Sequence, residues 1–211
     1  MYDMNCIRKT MDNLKKNNMD AAFLENKNDL PKLLSQYLKD GDEVTFGGSM
    51  TLFETGVMDY LKDLDAAGRI RLLDRNAEGN TADDVAEIYR EAFCSDVYFT
   101  SSNAVTQNGY LYNVDGNGNR IAAMIFGPKS VIVIVGYNKL VATKEEAMER
   151  VQKIAAPKNA MRLHMNTPCA KTGECMHCMS EDRICCNYTF FGKQRTKNRI
   201  KVVILGEEYG Y

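Results

Sequence analysis

Residues 44–54 have the sequence Val44-Thr45-Phe46-Gly47-Gly48-Ser49-Met50-Thr51-Leu52-Phe53-Glu54. Val44 to Phe46 has the β-branched and aromatic character of a short buried strand. Gly47 and Gly48 allow positive φ and close backbone approach. Thr51 and Glu54 then match a T-x-x-E capping box at a helix start. The pattern predicts a strand, a glycine turn and a helix N-terminus that would stabilise a phosphate or carboxylate.

The same residues also fit an ordinary strand-to-helix turn that binds no ligand. They do not form a dinucleotide-binding fingerprint or a Walker loop, because the third glycine and the Gly-Lys-Ser/Thr ending are both missing. The sequence therefore favours an anion site that is not one of the familiar nucleotide sites.

Composition and charge restrict the class of protein. The chain has 211 residues, 45% of them hydrophobic and 26% charged, as expected of a soluble globular protein with a real core. A net charge of −1 gives no electrostatic case for a nucleic acid or an anionic membrane as partner. No segment approaches the roughly 20 apolar residues that span a bilayer, and the N-terminus lacks a signal-peptide pattern. Seven cysteines, an odd number, fit a reducing compartment. We expect a cytoplasmic protein. The sequence is compatible with a homo-oligomer but does not decide the oligomeric state.

Strands and helices alternate through the first hundred residues. The pattern predicts helices at 4–18, 30–39, 51–64 and 81–93, and strands at 21–24, 44–46, 69–73 and 96–100. This order indicates an α/β fold with a Rossmann-like, mostly parallel sheet and helices on both faces. The apolar runs 131–135 and 201–205 predict two further buried strands. Asn108-Gly109 predicts an added β-hairpin with a type I′ turn. One domain over residues 1–211, with a Cys-rich excursion at 169–186, is the simplest organisation.

Four polar loops follow strand ends, at 47–54, 101–103, 115–120 and 136–139. Because loops at the carboxyl ends of parallel strands meet at one crevice, we expect these four to converge on a ligand. Taken singly, each loop is also an ordinary turn rich in Gly, Asn and Asp. The candidate ligand-binding residues are Gly47, Gly48, Ser49, Thr51, Ser101, Ser102, Asn103, Asn117, Asn119, Arg120, Asn138 and Lys139.

Three charged side chains in these loops are candidates for binding an anion or for acid–base catalysis. Arg120 can hold a carboxylate or phosphate through two parallel hydrogen bonds. Asp115 and Glu54 are candidate catalytic groups, since partial burial raises the pKa of a carboxyl toward that of a general base. Glu54 has a competing role as the capping-box partner of Thr51.

The cysteine segment offers a second kind of site. Cys169, Cys175, Cys178 and Cys185 lie within 17 positions, and the Cys-x2-Cys pair among them can bind one metal from a single turn. The candidates are Zn²⁺ and an iron–sulfur cluster, with His164 and His177 as spare ligands. The spacing matches neither a two-knuckle zinc ribbon nor a standard ferredoxin. Reduced cysteines in a loop, or a redox disulfide, therefore remain alternatives.

Together these residues resemble one family. Residues 46–56, Ser101-Ser102-Asn103-Ala104-Val105-Thr106, Asn113 to Arg120, Phe126-Gly127-Pro128, Gly136-Tyr137-Asn138-Lys139 and Ile154-Ala155-Ala156-Pro157 resemble the LUD-domain family, the lactate-utilisation proteins of the LutC/YkgG type. The resemblance implies the NagB/RpiA/CoA-transferase-like fold. In related sugar-phosphate isomerases a Gly-Ser-Thr turn holds the phosphate, and the turn at 47–51 is similar. An Asp-Gly loop near the chemistry of those enzymes is similar to Asp115-Gly116. Residues 117–120 offer no second carboxylate, which counts against isomerase activity.

Three functions follow as expectations. The resemblance implies a subunit that binds a small anionic ligand in the oxidation of lactate to pyruvate, alongside iron–sulfur partner subunits. An isomerase or CoA-transferase-like enzyme that uses Glu54 or Asp115 is the second. A non-catalytic, metal-binding assembly or regulatory subunit is the third. The sequence alone leaves open whether the protein is an enzyme.

Overall fold

The computed structural model describes residues 2–211, and ten strands carry the fold within them. They are β1 (Asp20–Leu24), β2 (Glu43–Phe46), β3 (Arg71–Leu72), β4 (Val97–Thr100), β5 (Ala104–Thr106), β6 (Leu111–Asp115), β7 (Ser130–Gly136), β8 (Leu140–Val141), β9 (Asn187–Phe191) and β10 (Ile200–Leu205).

The α-helices in the same residues are mostly short. They are α1 (Met4–Lys16), α2 (Leu30–Leu34), α3 (Met50–Glu54), α4 (Val57–Ala66), α5 (Ala82–Glu91), α6 (Asn119–Ile125), α7 (Lys144–Arg150), α8 (Ala156–Arg162) and α9 (Pro168–Thr172). Single 3₁₀ turns at Lys27–Asp29 and Tyr137–Lys139 and a π-helical turn at Val151–Ala155 complete the helical structure. Among residues 2–211, no helix combines the length and the apolar character that crossing a bilayer requires.

The main sheet has six strands in the order β1-β10-β7-β4-β2-β3, and all neighbours are parallel. This confirms the predicted α/β fold with a parallel sheet. The chain runs from β2 outward to β3 and then returns to β4 on the other side of β2. The loops after β2 and β4 therefore leave the sheet at a topological switch point, where open α/β sheets bind ligands.

The central strand β7 is buried on both faces, as its sequence predicts. Val131, Val133 and Val135 pack into one core cluster with residues of α1 and α6. Ile132 and Ile134 point to the other face and pack with α2, α3 and α4. Helices therefore cover both faces of the sheet, and burial of apolar surface on both sides is what stabilises it.

A second sheet lies beside the first, in the order β8-β5-β6-β9. It contains the predicted hairpin of β5 and β6, which pair antiparallel. The predicted type I′ turn is wrong, because that turn needs positive φ at both central residues and Asn108 does not have it. Gly109 alone has positive φ, and its N–H donates to the carbonyl of Thr106 at 2.8 Å. The loop is instead held against α1, where Asn17 Nδ2 donates to the Gly109 carbonyl at 2.9 Å.

Several predicted helix bounds are also wrong. The helix predicted at 51–64 is two helices, because Gly56 adopts a left-handed conformation (φ 76°) and starts α4. The helix predicted at 30–39 ends as an α-helix at Leu34. The apolar run that follows the polar turn 115–120 is a helix, α6, which includes the last two residues of that turn and has Gly118 as its N-cap.

The helix predicted at 81–93 begins with a capping box of Thr81 and Asp84. Thr81 Oγ1 accepts from the Asp84 N–H at 3.2 Å, and Asp84 Oδ2 accepts from the Thr81 N–H at 2.8 Å. The Thr81 hydroxyl also donates to Asp84 Oδ2 at 2.7 Å, and this hydrogen bond, followed by the one from the Thr81 N–H, holds the pKa of the exposed Asp84 carboxyl below its usual range. Replacing Thr81 with alanine is expected to lower the free energy of unfolding by about 1 kcal/mol, measured by urea denaturation. Thr81→Ser keeps the oxygen and serves as the control, so equal losses in both variants would contradict the capping role.

Candidate functional site

A polar cavity of about 730 Å³ opens at the carboxyl edge of the parallel sheet. Its wall includes parts of all four loops that sequence analysis singled out. From them come Gly48, Ser49, Met50, Ser101, Ser102, Asn103, Asp115, Gly116, Asn117, Asn119, Arg120 and Lys139. Volumes of about 300–1,000 Å³ are usual for small-molecule sites. The cavity is therefore large enough for a metabolite.

The turn after β2 needs its two glycines for close packing and not for their backbone angles. Neither Gly47 nor Gly48 has positive φ, so that reason for glycine is wrong here. Close approach is the reason that holds. A Cβ atom on Gly47 would lie 2.7 Å from the Tyr98 Oη, and one on Gly48 would lie 2.5 Å from Nη2 of Arg75. The missing side chains thus make room for a buried phenol and a guanidinium.

The predicted capping box of Thr51 and Glu54 is also wrong. The N-cap of the five-residue helix α3 is Ser49, whose side chain makes no capping hydrogen bond. Thr51 lies inside the helix, and its Oγ1 accepts from Lys139 Nζ at 2.8 Å. Glu54 Oε2 accepts from the N–H of Gly210 at 2.6 Å. Both side chains bind distant parts of the chain that local sequence does not reveal.

Lys139 places a buried amine in the wall of the cavity. The residue is 3% exposed, and Nζ donates to Thr51 Oγ1 and, at 3.1 Å, to Ser101 Oγ. Burial, with smaller contributions from Arg150 and Arg120, lowers the pKa of the Lys139 amine to about 7. The two hydroxyls tie the loops after β2, β4 and β7 to one amine.

Arg150 braces these loops from behind. It is 7% exposed, Nη1 donates to the Asn103 carbonyl at 2.6 Å, and Nε donates to the Asn138 carbonyl at 3.0 Å. Burial lowers the pKa of this guanidinium to about 10. Because both contacts are to backbone carbonyls, α7 holds the loops 101–103 and 136–139 at a fixed separation.

Arg120 and Asp115 form a buried ion pair. Arg120 Nη2 lies 2.6 Å from Asp115 Oδ1, and the two side chains are 12% and 8% exposed. Arg120 Nη2 also donates to Asn103 Oδ1 and to the Val114 carbonyl, each at 3.0 Å. Nη1 donates to the Ser101 carbonyl at 3.2 Å and to Asn113 Oδ1. Both terminal nitrogens of Arg120 are therefore already hydrogen-bonded to protein.

The second oxygen of Asp115 has a structural partner too. Oδ2 accepts from the N–H of Ile121 at 2.8 Å, in the first turn of α6. Asp115 thus orders the start of the helix that carries Arg120. The catalytic roles expected of Asp115 and Glu54 remain predictions, and the contacts of these carboxylates are structural ones.

Sequence analysis missed Arg75, which follows β3 at the same edge of the sheet. Its Nη1 donates to the Tyr89 hydroxyl at 2.6 Å, and the guanidinium lies 5.4 Å from the centre of the Tyr89 ring. Its Nε is buried without a hydrogen-bond partner in residues 2–211. Arg75 also forms none of the ion pairs found in those residues. The rule that loops after parallel strands converge, applied to the predicted strand 69–73, would have found it.

Three further residues of the wall were also missed: Asn159, Arg162 and Tyr211. Arg162 Nε donates to the Tyr211 hydroxyl at 2.6 Å, and that hydroxyl donates to Asn159 Oδ1 at 3.2 Å. Asn159 and Arg162 belong to α8, and Tyr211 follows β10. Sequence analysis gave no signal for them, because neither α8 nor the last residues stood out as a polar loop after a strand.

Some predicted ligand-binding residues lie behind the wall. Thr51 contributes through Lys139, and Asn138 Nδ2 donates to the Gly210 carbonyl at 3.1 Å. Gly47 lies against Tyr98 as described above, and a Cβ on it would also lie 3.2 Å from Cδ of Arg120. Whether any of the predicted residues binds a ligand stays a prediction.

The cysteine segment, residues 169–186, contains little regular secondary structure. The helix α9 ends in it at Thr172, and β9 begins just after it. Cys169, Cys175, Cys178 and Cys185 are half-buried free thiols. In the part of the chain that the structure describes, no group of three or more His, Cys, Asp or Glu side chains is arranged to hold a metal ion. The metal site therefore stays a prediction from spacing alone. Cys186, which was not among the candidates, lies in the cavity wall.

The parallel sheet, the added second sheet and the polar cavity at the switch point define a Rossmann-like α/β protein. The LUD domain family model matches residues 7–205, so the chain belongs to the LUD domain family. A solved structure, a DUF162 family protein from Deinococcus radiodurans, is similar with a TM-score of 0.56 and 12% identity. The alignment covers 97% of this chain and 99% of that one, and at this identity the likeness concerns the fold alone. No curated protein matches the chain.

Proposed function

We propose that this LUD-domain protein binds a small carboxylate of the lactate and pyruvate type in the cavity at the carboxyl edge of its sheet. It would serve in the cytoplasm, in the oxidation of lactate or a related hydroxy acid, alongside iron–sulfur partner subunits. Membership in the LUD domain family supports the metabolic setting. The observation that carries the binding role is the unpaired guanidinium of Arg75.

Arg75 has the properties of an anion-binding group. Its buried Nε lacks a hydrogen-bond partner in residues 2–211, and leaving such a donor unsatisfied costs about 1–3 kcal/mol. The buried Nε is closed to a ligand, but a carboxylate in the cavity would supply the counter-ion that the Arg75 guanidinium lacks in those residues. Tyr89 and Gly48 fix the position of the guanidinium from two sides, so little conformational entropy would be lost on binding.

The charge of the cavity also favours an anion. Its arginines are Arg75, Arg120, Arg162 and Arg183, and its carboxylate side chains are Asp115, Glu181 and Asp182. Asp115 is neutralised by Arg120. The remaining excess of positive charge, in a partly enclosed site, attracts anions.

Removing the Arg75 guanidinium is expected to weaken ligand binding by about 10- to 100-fold, since a hydrogen bond to a charged group contributes about 1.5–3 kcal/mol. Isothermal titration calorimetry with L-lactate, pyruvate and inorganic phosphate would compare wild type with Arg75→Leu. The cavity exceeds a three-carbon acid in size, so phosphate tests the wider class of small anions.

Arg90→Leu is the matched control, because Arg90 is exposed on the same helix as Tyr89 and pairs with Glu87 at 3.1 Å. It should bind like wild type. If wild type binds none of the three anions, or if Arg75→Leu binds as tightly as wild type, the proposal is wrong.

The alternatives have less support from the contacts. An isomerase or CoA-transferase-like enzyme needs a free carboxylate. Glu54 instead accepts a hydrogen bond from the Gly210 N–H, and Asp115 forms an ion pair with Arg120. A metal-binding assembly subunit has no preformed ligand cluster in residues 2–211 to support it.

A further inference from the structure

The Lys139 amine has an environment that anion binding alone does not explain. It is buried, it belongs to the cavity wall, and it forms none of the ion pairs found in residues 2–211. A buried lysine without a carboxylate is costly when charged. Its neighbours at hydrogen-bond distance are the two hydroxyls of Thr51 and Ser101.

The protons of these hydroxyls have other acceptors. Thr51 Oγ1 donates to the Tyr209 carbonyl at 3.3 Å. Ser101 Oγ can donate to Thr51 Oγ1 at 3.4 Å or to the Ser102 carbonyl at 3.5 Å. Both hydroxyls are thus free to accept from Nζ, as the 2.8 and 3.1 Å distances indicate. A neutral amine uses its two N–H groups in these bonds and keeps its lone pair.

The charged groups around Lys139 favour the neutral amine. Desolvation is the largest cause of its lowered pKa, and the cations of Arg150 and Arg120 act in the same direction. Glu54 opposes them, but its carboxylate accepts from the Gly210 N–H rather than from Nζ. Near neutral pH a large share of Lys139 is therefore an unprotonated, nucleophilic amine.

We propose that Lys139 forms an imine with a 2-oxo acid of the pyruvate class bound in the cavity. This inference rests on the proposed function, since the carboxylate of that ligand is the anion assigned to Arg75. The Nζ lone pair attacks the keto carbon and the carbonyl oxygen takes up a proton, which gives a carbinolamine. Loss of the hydroxyl group and of the N–H proton as water then forms the C=N bond. Because the addition and dehydration balance, no oxidant or reductant is needed.

The test is reductive trapping on the full chain. Wild-type protein incubated with pyruvate and then with sodium borohydride should gain the mass of one reduced pyruvate adduct, and peptide mapping should locate it at Lys139. L-lactate has no keto group and should give no adduct. The rate of trapping should rise as the pH passes through about 7, because the neutral amine is the reactive form.

Variants provide the controls. Lys139→Met and Lys139→Arg should both lose the adduct, and Lys129→Met, which removes an exposed lysine, should retain it. Mapping on wild type decides the site even if a Lys139 variant folds poorly. An adduct spread over several lysines, or one that persists in Lys139→Met, would overturn the inference.

Calorimetry separates this inference from the proposed function. Arg75-dependent binding of pyruvate without trapping would overturn the imine and leave the anion site intact. Trapping at Lys139 that is unaffected by Arg75→Leu would support the amine chemistry and overturn the role of Arg75.

Discussion

Replacing Arg120 with methionine is expected to lower the free energy of unfolding by about 3–5 kcal/mol, because it leaves the buried Asp115 carboxylate without its cation. The change also removes the hydrogen bonds by which Arg120 joins Asn103 to the Val114 carbonyl. Urea denaturation, monitored by circular dichroism, measures the loss of unfolding free energy. The sequence pattern predicted that Arg120 binds a ligand and gave no sign of a role in stability.

Arg90→Met is the matched control for this loss. Its guanidinium also pairs with a carboxylate, but both side chains are more than 60% exposed, and exposed pairs contribute about 0.2–1 kcal/mol. In the double variant Arg120→Met/Asp115→Asn the two losses should not add, since the carboxylate is no longer charged. Equal effects of Arg120→Met and Arg90→Met would refute the buried pair as a determinant of stability.

Replacing Ile132 with alanine is expected to cost about 2–5 kcal/mol of unfolding free energy. Ile132 is fully buried in the central strand β7, between β10 and β4. Its removal leaves a cavity in a layer that close-packed neighbours cannot readily fill. Thermal and urea denaturation would measure the change.

Ile154→Ala is the control, because Ile154 is 38% exposed and its truncation removes less apolar surface from water. We expect a loss of less than about 1.5 kcal/mol there. A loss at Ile132 as small as the loss at Ile154 would mean that the core can collapse around the truncated side chain.

The parallel sheet was predictable because its signals are local and repeated. The run 131–135 is apolar at every position, which a strand buried on one face would not need. The alternation of strands and helices then leaves few topologies open. In contrast, β9 was missed although Tyr188, Thr189 and Phe190 favour a strand, since it follows directly on the Cys-rich excursion at 169–186 and no strand was predicted between that excursion and residue 201.

Side-chain partners were less predictable than strands. Thr51 and Glu54 have the spacing of a capping box, yet Lys139 and Gly210 take their hydrogen bonds. These partners lie far along the chain, and no local pattern reports them. The sequence around Arg120 likewise suggested ligand binding, whereas its hydrogen bonds to Ser101, Asn103 and Val114 hold the loops together. The convergence of the loops could be predicted, whereas the division of their residues between ligand and scaffold depends on tertiary contacts.

The π-helical turn at Val151–Ala155 has a consequence for how relatives of this protein can be compared. A π turn accommodates one extra residue within an α-helix, and one residue corresponds to a rotation of about 100°. Arg150 lies before the turn and braces the loops, whereas Asn159 and Arg162 lie after it and form the wall of the cavity. Because the π turn absorbs its extra residue, a homologue with a one-residue deletion here would close the turn to an α-helix and keep both the brace and the contact of Arg162 with Tyr211. In an alignment of the family, a single gap at 151–155 would therefore separate proteins that keep the same cavity wall, and the residues on either side of the gap can be compared position by position.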